Sequence, residues 1–312
     1  MKNRKLVICA SLLVGVIAGC GGGGGGVSPS SDSNLTTPVT PVIEKSITIF
    51  ETPGQQLSLP RLMLSSSTGQ LTVAAQGSDK VYTFDLSDGH LVSAYAVNDP
   101  IGVAFKSGTS EVYYAAGAGI YTGGGSTIIS NVSGNYYGLT FTSSTDYYVG
   151  NISGSGTIVK YTVASQIPLD TIDQTNGLTG FPSALVTNNG FIYASLTDQK
   201  IVKIDPLTKV VTPMSWGHFD HPNGIVIDGG YAYIANNGPL NNGDGGYISR
   251  VKISDGSNEV FASDNVGVWK TANKGFCGPA GVAVYETYLY VSNGTCASSN
   301  SNQNKILKIK IP

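Results

Sequence analysis

Apolar residues recur through residues 46–312 in short stretches, each closed by a polar or glycine-containing turn. A typical unit opens with a proline or an aromatic residue and a short apolar strand, as in Pro222-Asn223-Gly224-Ile225-Val226-Ile227. After a turn comes an aromatic-rich strand that ends in small or amide residues, as in Tyr231-Ala232-Tyr233-Ile234-Ala235-Asn236. Such short runs, rich in β-branched and aromatic residues and bounded by turns, are typical of β-strands. The pattern predicts an all-β domain built from repeated strand pairs.

Six such units follow one another at spacings of 36 to 57 residues, which is the range of propeller blades. Most pairs precede a third strand with alternating polar and apolar residues, such as residues 200–205, and a weaker fourth strand. Four antiparallel strands make one blade of a β-propeller. The six units begin at Pro60, Pro100, Tyr136, Pro182, Pro222 and Pro279.

The sixth unit is one strand short, because only one further strand, residues 305–311, follows its second strand. Residues 46–50 form an apolar strand that can complete this unit. Pairing them there would remove two unpaired sheet edges. We therefore predict a six-bladed β-propeller over residues 46–312, with the amino-terminal strand closing the last blade. A β-sandwich or an irregular β domain is the alternative.

The first 19 residues have the organisation of an export signal. Lys2, Arg4 and Lys5 precede an apolar run, residues 6–17, that is too short to span a bilayer. The residues that follow, Ile17-Ala18-Gly19-Cys20, resemble the lipobox of bacterial lipoproteins. We predict a signal peptide over residues 1–19, and an ordinary cleaved signal with an incidental cysteine is the alternative.

The lipobox resemblance implies that Cys20 carries three acyl chains and holds the protein to a membrane, since each buried methylene contributes about 0.8 kcal/mol. Gly21 stands where Asp often directs retention in the inner membrane. An outer-membrane lipoprotein, facing either the periplasm or the cell surface, is therefore expected. Residues 20–45 are rich in Gly, Ser, Thr and Pro and lack apolar periodicity, so they predict a flexible tether.

The charge composition limits the classes of partner that the protein can bind. Only 12% of the residues are charged, and without Lys2, Arg4 and Lys5 the chain has 15 basic against 20 acidic residues. No block of Lys or Arg survives in this part, so the basic footprint of a nucleic-acid-binding protein is missing. We expect no nucleic-acid partner and a monomeric domain.

The Pro-x-Gly-apolar strand and the Tyr-x-apolar-Ala/Ser-Asn strand resemble NHL-repeat and gluconolactonase-like six-bladed propellers, over residues 46–312. That resemblance implies a divalent cation held by a Glu, an Asn in a Pro-Asn-Gly turn and an Asp. Asn223 matches the Asn, whereas neither carboxylate is present, because the corresponding positions hold Arg61, Ile101, Tyr137, Ser183 and Ala280. We therefore expect no metal and no cofactor; a divalent cation remains the alternative.

The first two strands of a blade are antiparallel, so the start of one and the end of the other lie on one rim at the mouth of the channel. Position alone gives five candidate ligand-binding residues there: Arg61, Tyr137, His221, Asn223 and Asn236. We expect a non-enzymatic rim that binds an envelope protein, a peptide or a glycan, and we assign no catalytic residue. The alternative is a lactonase- or esterase-like hydrolase or a lyase that uses Asn223, His221 and Arg61.

A second alternative is a zinc site or an acid–base group formed by His218, Asp220 and His221. Two imidazoles and a carboxylate can bind zinc or exchange protons. Turn-capping or surface roles are the commoner interpretation of such residues.

Two cysteines remain after export and lipidation, since Cys9 leaves with the signal peptide. Cys277 and Cys296 flank the strand pair of the sixth unit, and the register brings both to the rim. An oxidising compartment favours a disulfide between them, closing a loop of about 20 residues worth about 3 kcal/mol. Metal or redox chemistry is the alternative for this pair.

Overall fold

A computed structural model of the chain describes residues 47–50, 52–117, 119–123, 127–129, 135–238, 246–263, 276–294 and 303–312. They belong to a unit that extends over Glu44–Pro312, and a second unit, Met1–Ile43, is outside the described residues. The predicted signal peptide, Cys20 and the predicted tether therefore lie outside the described residues. Among the residues that are described, no helix is long and apolar enough to span a membrane.

The described strands form six antiparallel sheets of four strands. Strand β1 (Ile47–Phe50) precedes the first complete sheet. The first three sheets are blade 1 with β2 (Pro60–Ser65), β3 (Gln70–Ala75), β4 (Lys80–Asp85) and β5 (Leu91–Ala96), blade 2 with β6 (Pro100–Phe105), β7 (Val112–Ala116), β8 (Gly119–Thr122) and β9 (Thr127–Ile129), and blade 3 with β10 (Tyr136–Phe141), β11 (Asp146–Asn151), β12 (Thr157–Thr162) and β13 (Ser165–Ile172).

The remaining sheets repeat this order. They are blade 4 with β14 (Pro182–Asn188), β15 (Phe191–Leu196), β16 (Lys200–Ile204) and β17 (Val211–Pro213), blade 5 with β18 (Pro222–Asp228), β19 (Tyr231–Asn236), β20 (Tyr247–Lys252) and β21 (Asn258–Ser263), and blade 6 with β22 (Pro279–Tyr285), β23 (Tyr288–Asn293) and β24 (Lys305–Lys310). Two single 3₁₀ turns, Gln76–Ser78 and Gln174–Asn176, complete the described elements.

The innermost strands β2, β6, β10, β14, β18 and β22 contact one another in this order, and β22 contacts β2. Strand β1 pairs with β24, with Thr48 opposite Lys308, so the fourth strand of blade 6 comes from the amino-terminal side of the domain. The six-bladed β-propeller and its closure by the amino-terminal strand are therefore confirmed.

Proline opens five of the six innermost strands because a strand's first residue need not donate to the ladder. The first residue of every innermost strand pairs with the last residue of the second strand, for example Pro222 with Asn236 and Pro279 with Asn293. An irregularity in register follows directly in all six pairs. The rim predicted from the sequence therefore exists as one end of the ring.

The innermost strands approach one another so closely that two glycines are required at their contacts. A Cβ atom at Gly102 would overlap the carbonyl oxygen of Tyr137 in the next blade. A Cβ atom at Gly281 would lie 2.5 Å from the carbonyl oxygen of Arg61 across the closure between blades 6 and 1. The glycine in the Pro-x-Gly repeat thus sets the width of the central channel.

The core is divided among the interfaces between blades. Six clusters of buried side chains fill them, one at each junction between neighbouring blades in the described residues. At the closure, Phe50 of β1 lies edge-on against Tyr290, with ring centroids 5.5 Å apart. Burial of the apolar face of each sheet against the next blade therefore holds the ring together.

Candidate functional site

Six residues surround the mouth of the central channel, each the second residue of an innermost strand. They are named here the mouth ring: Arg61, Ile101, Tyr137, Ser183, Asn223 and Ala280. Members from blades 1, 3 and 5 are partly exposed, whereas those from blades 2, 4 and 6 are buried. The accessible members are thus a cation, a phenol and an amide on alternate blades.

Below the mouth ring, the channel contains a partly open cavity of about 270 Å³. Each innermost strand contributes an apolar side chain to its wall, namely Leu62, Val103, Leu139, Leu185, Ile225 and Val282. Polar atoms in the wall pair with each other, as Thr140 Oγ1 and Thr187 Oγ1 do at 3.0 Å. The mouth ring therefore stands over a channel wall in which these apolar side chains are interspersed with polar atoms.

Arg61 is held by a chain of hydrogen bonds along the rim of blades 1 and 2. Its Nε donates to Gln76 Oε1, and Gln76 Nε2 donates to Asp99 Oδ1. The backbone N–H of Asp99 in turn donates to Asp79 Oδ1 at 2.9 Å. Because a carboxylate accepts only, Asp99 fixes which end of the Gln76 amide faces the guanidinium.

The rim of blade 5 carries a second polar group. His218 Nε2 and Asp220 Oδ1 are 2.9 Å apart, and the His218 side chain is 69% exposed. Tyr247 of β20 interacts with the same carboxylate; burial and then the charge of Asp220 raise the pKa of Tyr247 to about 12. Two of the three residues singled out from the sequence here, His218 and Asp220, therefore contact each other.

The structure separates His221 from that pair. Its backbone has φ +52°, and its Nδ1 lies 3.2 Å from the carbonyl oxygen of Gly238. Asn223 follows two residues later in the mouth ring, where its carbonyl oxygen accepts from Ser195 Oγ of blade 4. His221 therefore belongs to the entry of β18, and Asn223 to the channel mouth.

Asn236 lies at the rim end of β19, but its side chain is fully buried. Its Nδ2 donates to Ser249 Oγ at 3.0 Å and to the carbonyl oxygen of Ile234 at 3.2 Å. The amide oxygen, Oδ1, is buried with no hydrogen-bond partner among the described residues. The Asn236 side chain thus joins β19 to β20 and is not exposed on the rim.

Of the two cysteines predicted to pair, Cys277 lies next to the rim of blade 6 and is fully buried. Its backbone N–H donates to Asn293 Oδ1 at 2.6 Å, which ties the entry of β22 to the end of β23. Cys296 lies outside the described residues, so its pairing with Cys277 stays a prediction.

A group that sequence reasoning did not single out lies at the opposite end of blade 1. Asp85, Asp88 and His90 hold their ligand atoms within 4.8 Å of one another in the exposed turn between β4 and β5. Asp85 Oδ1 accepts from Ser87 Oγ at 2.5 Å and from Ser87 N at 2.8 Å, and Asp88 Oδ1 accepts from His90 N at 3.0 Å. These bonds lower the pKa of both carboxyl groups.

The corresponding turn of blade 4 has the same construction without a histidine. Asp205 Oδ1 accepts from the backbone N–H of Leu207 at 2.8 Å, and this bond is the main cause of the lowered pKa of Asp205. An aspartate that caps its own turn is a common structural element. The Asp85 group is therefore accounted for as a turn.

Sequence reasoning singled out Arg61 but missed its hydrogen-bond partners. Gln76 and Asp99 come from two different blades, and neither stands in a motif. One indication was available: Asp99 immediately precedes Pro100 at the start of an innermost strand, where it adopts φ +56°.

Comparison with solved structures supports the fold. A structural genomics protein of unknown function from Bacteroides thetaiotaomicron VPI-5482 has a TM-score of 0.65 and 15% identity over 85% of this chain and 72% of that chain. The structure of U3-55K has a TM-score of 0.61 and 10% identity over 85% of this chain and 98% of that chain. At such identities the likeness concerns the fold alone. No curated protein sequence matches the chain.

A family match covers the middle blades. Residues 114–275 match the family described as "Repeat of unknown function (DUF6923)", from within β7 of blade 2 to beyond β21 of blade 5. The match extends over more than half of the 312 residues. The kinship with NHL-repeat and gluconolactonase-like propellers stays a prediction. The repeated blades, the rim and the matched residues together place the chain in the DUF6923 repeat family.

Proposed function

We propose that the protein is a membrane-anchored lipoprotein of the cell envelope whose propeller rim binds a protein, a peptide or a glycan. A propeller made of repeats suggests a binding or scaffold role, because the ring presents side chains from every blade on one face. The observation that carries the proposal is the mouth ring, in which Arg61, Tyr137 and Asn223 are accessible on alternate blades.

The hydrogen-bonding character of these side chains supports binding. A guanidinium, a phenol and an amide offer donors, one acceptor amide oxygen and a flat aromatic face, which are the groups that recognise peptides and sugars. Nearby carboxylates are already engaged, since Asp99 accepts from Gln76 and Asp220 pairs with His218. The mouth therefore suits recognition better than acid–base chemistry.

The sequence supports the anchor. Lys2, Arg4 and Lys5, the apolar run and the lipobox-like residues up to Cys20 together have the arrangement of a lipoprotein signal. Three acyl chains on Cys20 would hold the domain to the outer membrane, and the tether over residues 20–45 would lift the rim away from the headgroups.

Photo-crosslinking in intact cells tests the rim. A photoreactive amino acid is placed at Tyr137 or Asn223 in the mouth ring and, as a matched control, at Ser144 in the exposed turn at the other end of β10. We expect a discrete adduct from Tyr137 and Asn223 but not from Ser144. Equal adducts from all three positions, or none, would remove the rim from the proposal.

The anchor is tested by lipid labelling. Cells that produce the wild-type chain or Cys20→Ser are grown with a clickable palmitate analogue and then fractionated. We expect labelled wild-type protein in the outer-membrane fraction and unlabelled, soluble Cys20→Ser. Labelling that persists in Cys20→Ser would contradict the anchor.

We also propose the disulfide between Cys277 and Cys296 in the exported protein. Alkylation of the denatured, unreduced chain followed by mass spectrometry should leave both cysteines unmodified, and prior reduction should make both reactive. Alkylation of both without reduction would contradict the bond.

A further inference from the structure

Arg61 carries the only charge in the mouth ring, all six members of which are described. Its Nε is bonded to Gln76, and no other side-chain partner of the guanidinium occurs among the described residues. Four N–H groups on the two Nη atoms therefore remain for an acceptor that enters the mouth. A planar pair of Nη donors matches two oxygens of one anionic group.

The other described arginine lies beside a carboxylate and two aromatic rings. Arg250 lies 2.6 Å from Glu259 Oε1 and stacks between Tyr231 and Phe261, with its Cζ 4.8 and 5.3 Å from the ring centroids. Arg61 pairs with no carboxylate in the described part of the chain. Arg250 is thus neutralised by a carboxylate, whereas the charge of Arg61 remains available to an anion.

The backbone of Arg61 is fixed on both sides. Its carbonyl oxygen accepts from Ser292 Oγ of blade 6 at 2.7 Å, and the N–H of Leu59 donates to Asn304 Oδ1 at 3.0 Å. Together with the Gln76–Asp99 chain, these bonds hold the guanidinium in place before a ligand arrives. Such preorganisation lowers the entropy lost on binding.

The surroundings favour one negative charge. The other mouth-ring members are neutral, and no charged side chain lines the cavity below them among the described residues, so an anion at the mouth meets the single positive charge of Arg61. A phosphate monoester carries nearly two negative charges, which one arginine does not balance. A carboxylate balances Arg61 with one.

We propose that Arg61 binds the carboxylate group of the ligand through its two Nη atoms, with Gln76 and Asp99 as positioning residues. The inference rests on the proposed binding function of the rim and names the chemical class that this rim recognises. The carboxylate belongs to either a peptide or an acidic sugar.

Arginine side-chain NMR of the full chain tests the proposal. The chain has three arginines, Arg4, Arg61 and Arg250, so selectively ¹⁵N-labelled protein gives few signals, and Arg61→Lys identifies that of Arg61. The probes are N-acetylglycine and methyl glucuronide, with N-acetylglycinamide and methyl glucoside as neutral controls. We expect a saturable shift of Arg61 alone, with one acidic probe.

Which acidic probe acts identifies the source of the carboxylate. No shift with either acid, shifts of equal size at Arg61 and Arg250, or the same response to the neutral controls would each overturn the proposal. In Gln76→Met the probe should bind about 2- to 10-fold more weakly, because the guanidinium is no longer held, while the Arg250 signal stays unchanged. Unchanged affinity would contradict the positioning role of Gln76.

The experiments can reject the proposed anion site and the proposed binding function independently of each other. Crosslinking at Tyr137 that survives Arg61→Gln, with no probe response at Arg61, would leave the binding function standing and remove the carboxylate. A saturable shift at Arg61 without any crosslink would retain the site and remove the proposed partner.

Discussion

Two buried tyrosines of blade 3 differ in what their hydroxyl groups contact. The hydroxyl of Tyr136 lies 3.0 Å from that of Tyr161, so the two hydroxyl groups hydrogen-bond to each other. The hydroxyl of Tyr147 is buried with no hydrogen-bond partner among the described residues, although its ring stacks on Tyr161 at 5.7 Å. Burial raises the pKa of both Tyr136 and Tyr147 well above the usual value, so both remain neutral.

Removing each hydroxyl should therefore have opposite effects. Tyr147→Phe removes a desolvated, unpaired group and should raise the free energy of unfolding by up to about 1 kcal/mol. Tyr136→Phe leaves the Tyr161 hydroxyl unpaired and should lower it by about 1 to 2 kcal/mol. Urea unfolding of the full chain measures both, and a loss of stability in Tyr147→Phe would mean that its hydroxyl has a partner.

At this scale, the sequence predicts the place of a side chain better than its exposure. Asn223 and Asn236 both come from amide-containing ends of a strand pair, yet only Asn223 is partly exposed. The difference arises because Asn236 turns toward the neighbouring strand and bonds to Ser249. Side-chain direction within a bulged ladder depends on tertiary contacts that no local pattern encodes.

Strand pairs and their order could be predicted because each is encoded locally. A proline, an apolar strand and a Tyr-rich strand recur within one unit, so the innermost strands follow from period and turn residues alone. The Arg61–Gln76–Asp99 chain could not be predicted, since it joins two blades whose relative register is set by packing. The fourth strands were the weakest part of the pattern, and β9 and β17 are only three residues long.

The close contact between innermost strands gives a prediction for one glycine. Gly102→Ala would place a methyl group against the backbone carbonyl of Tyr137, which cannot rotate away. We expect a loss of about 1 to 3 kcal/mol or more in the free energy of unfolding.

Gly123 provides the control for that substitution. A Cβ atom there would lie at an ordinary 3.4 Å from the Tyr95 hydroxyl oxygen, so Gly123→Ala should leave the free energy of unfolding nearly unchanged. Urea unfolding of both glycine variants measures the difference. Equal stability of the two variants would show that neighbouring innermost strands can move apart.

Closure of the whole ring depends on one short strand. Phe50 is 8% exposed and packs on Tyr290, whereas its neighbour Ile49 is 36% exposed. Phe50→Ala should therefore cost about 3 kcal/mol, and Ile49→Ala should cost less than about 1 kcal/mol. Equal losses for both in denaturant unfolding would contradict the special role of the Phe50–Tyr290 contact in closing the ring.

Acid should weaken the junction between blades 3 and 4. Lys209 Nζ donates to Asp170 Oδ1 at 2.6 Å, and this bond is the main cause of the lowered pKa of Asp170. Because the pKa of Asp170 is lower in the folded state than its unfolded value of 3.8, this carboxylate stabilises the fold at pH values above 3.8. That stabilisation is lost as the pH falls through the folded-state pKa.

The free energy of unfolding should thus decline below about pH 4, and less steeply in Lys209→Met. Lys305→Met, whose lysine makes no ion pair with a described residue, serves as the control and should keep the wild-type slope. An unchanged slope in Lys209→Met would show that the pair does not couple to folding.

The pairing of Thr48 with Lys308 joins residues 260 positions apart, which orders events during synthesis. At about 5 to 20 residues per second, the partner strand follows β1 by roughly 13 to 50 seconds. Blades 1 to 5 can assemble from neighbouring strands in that interval, whereas blade 6 cannot be completed. Strand β1, although synthesised before the other strands of the propeller, is therefore the last to pair. Until then the chain has an open ring in which Phe50 is exposed.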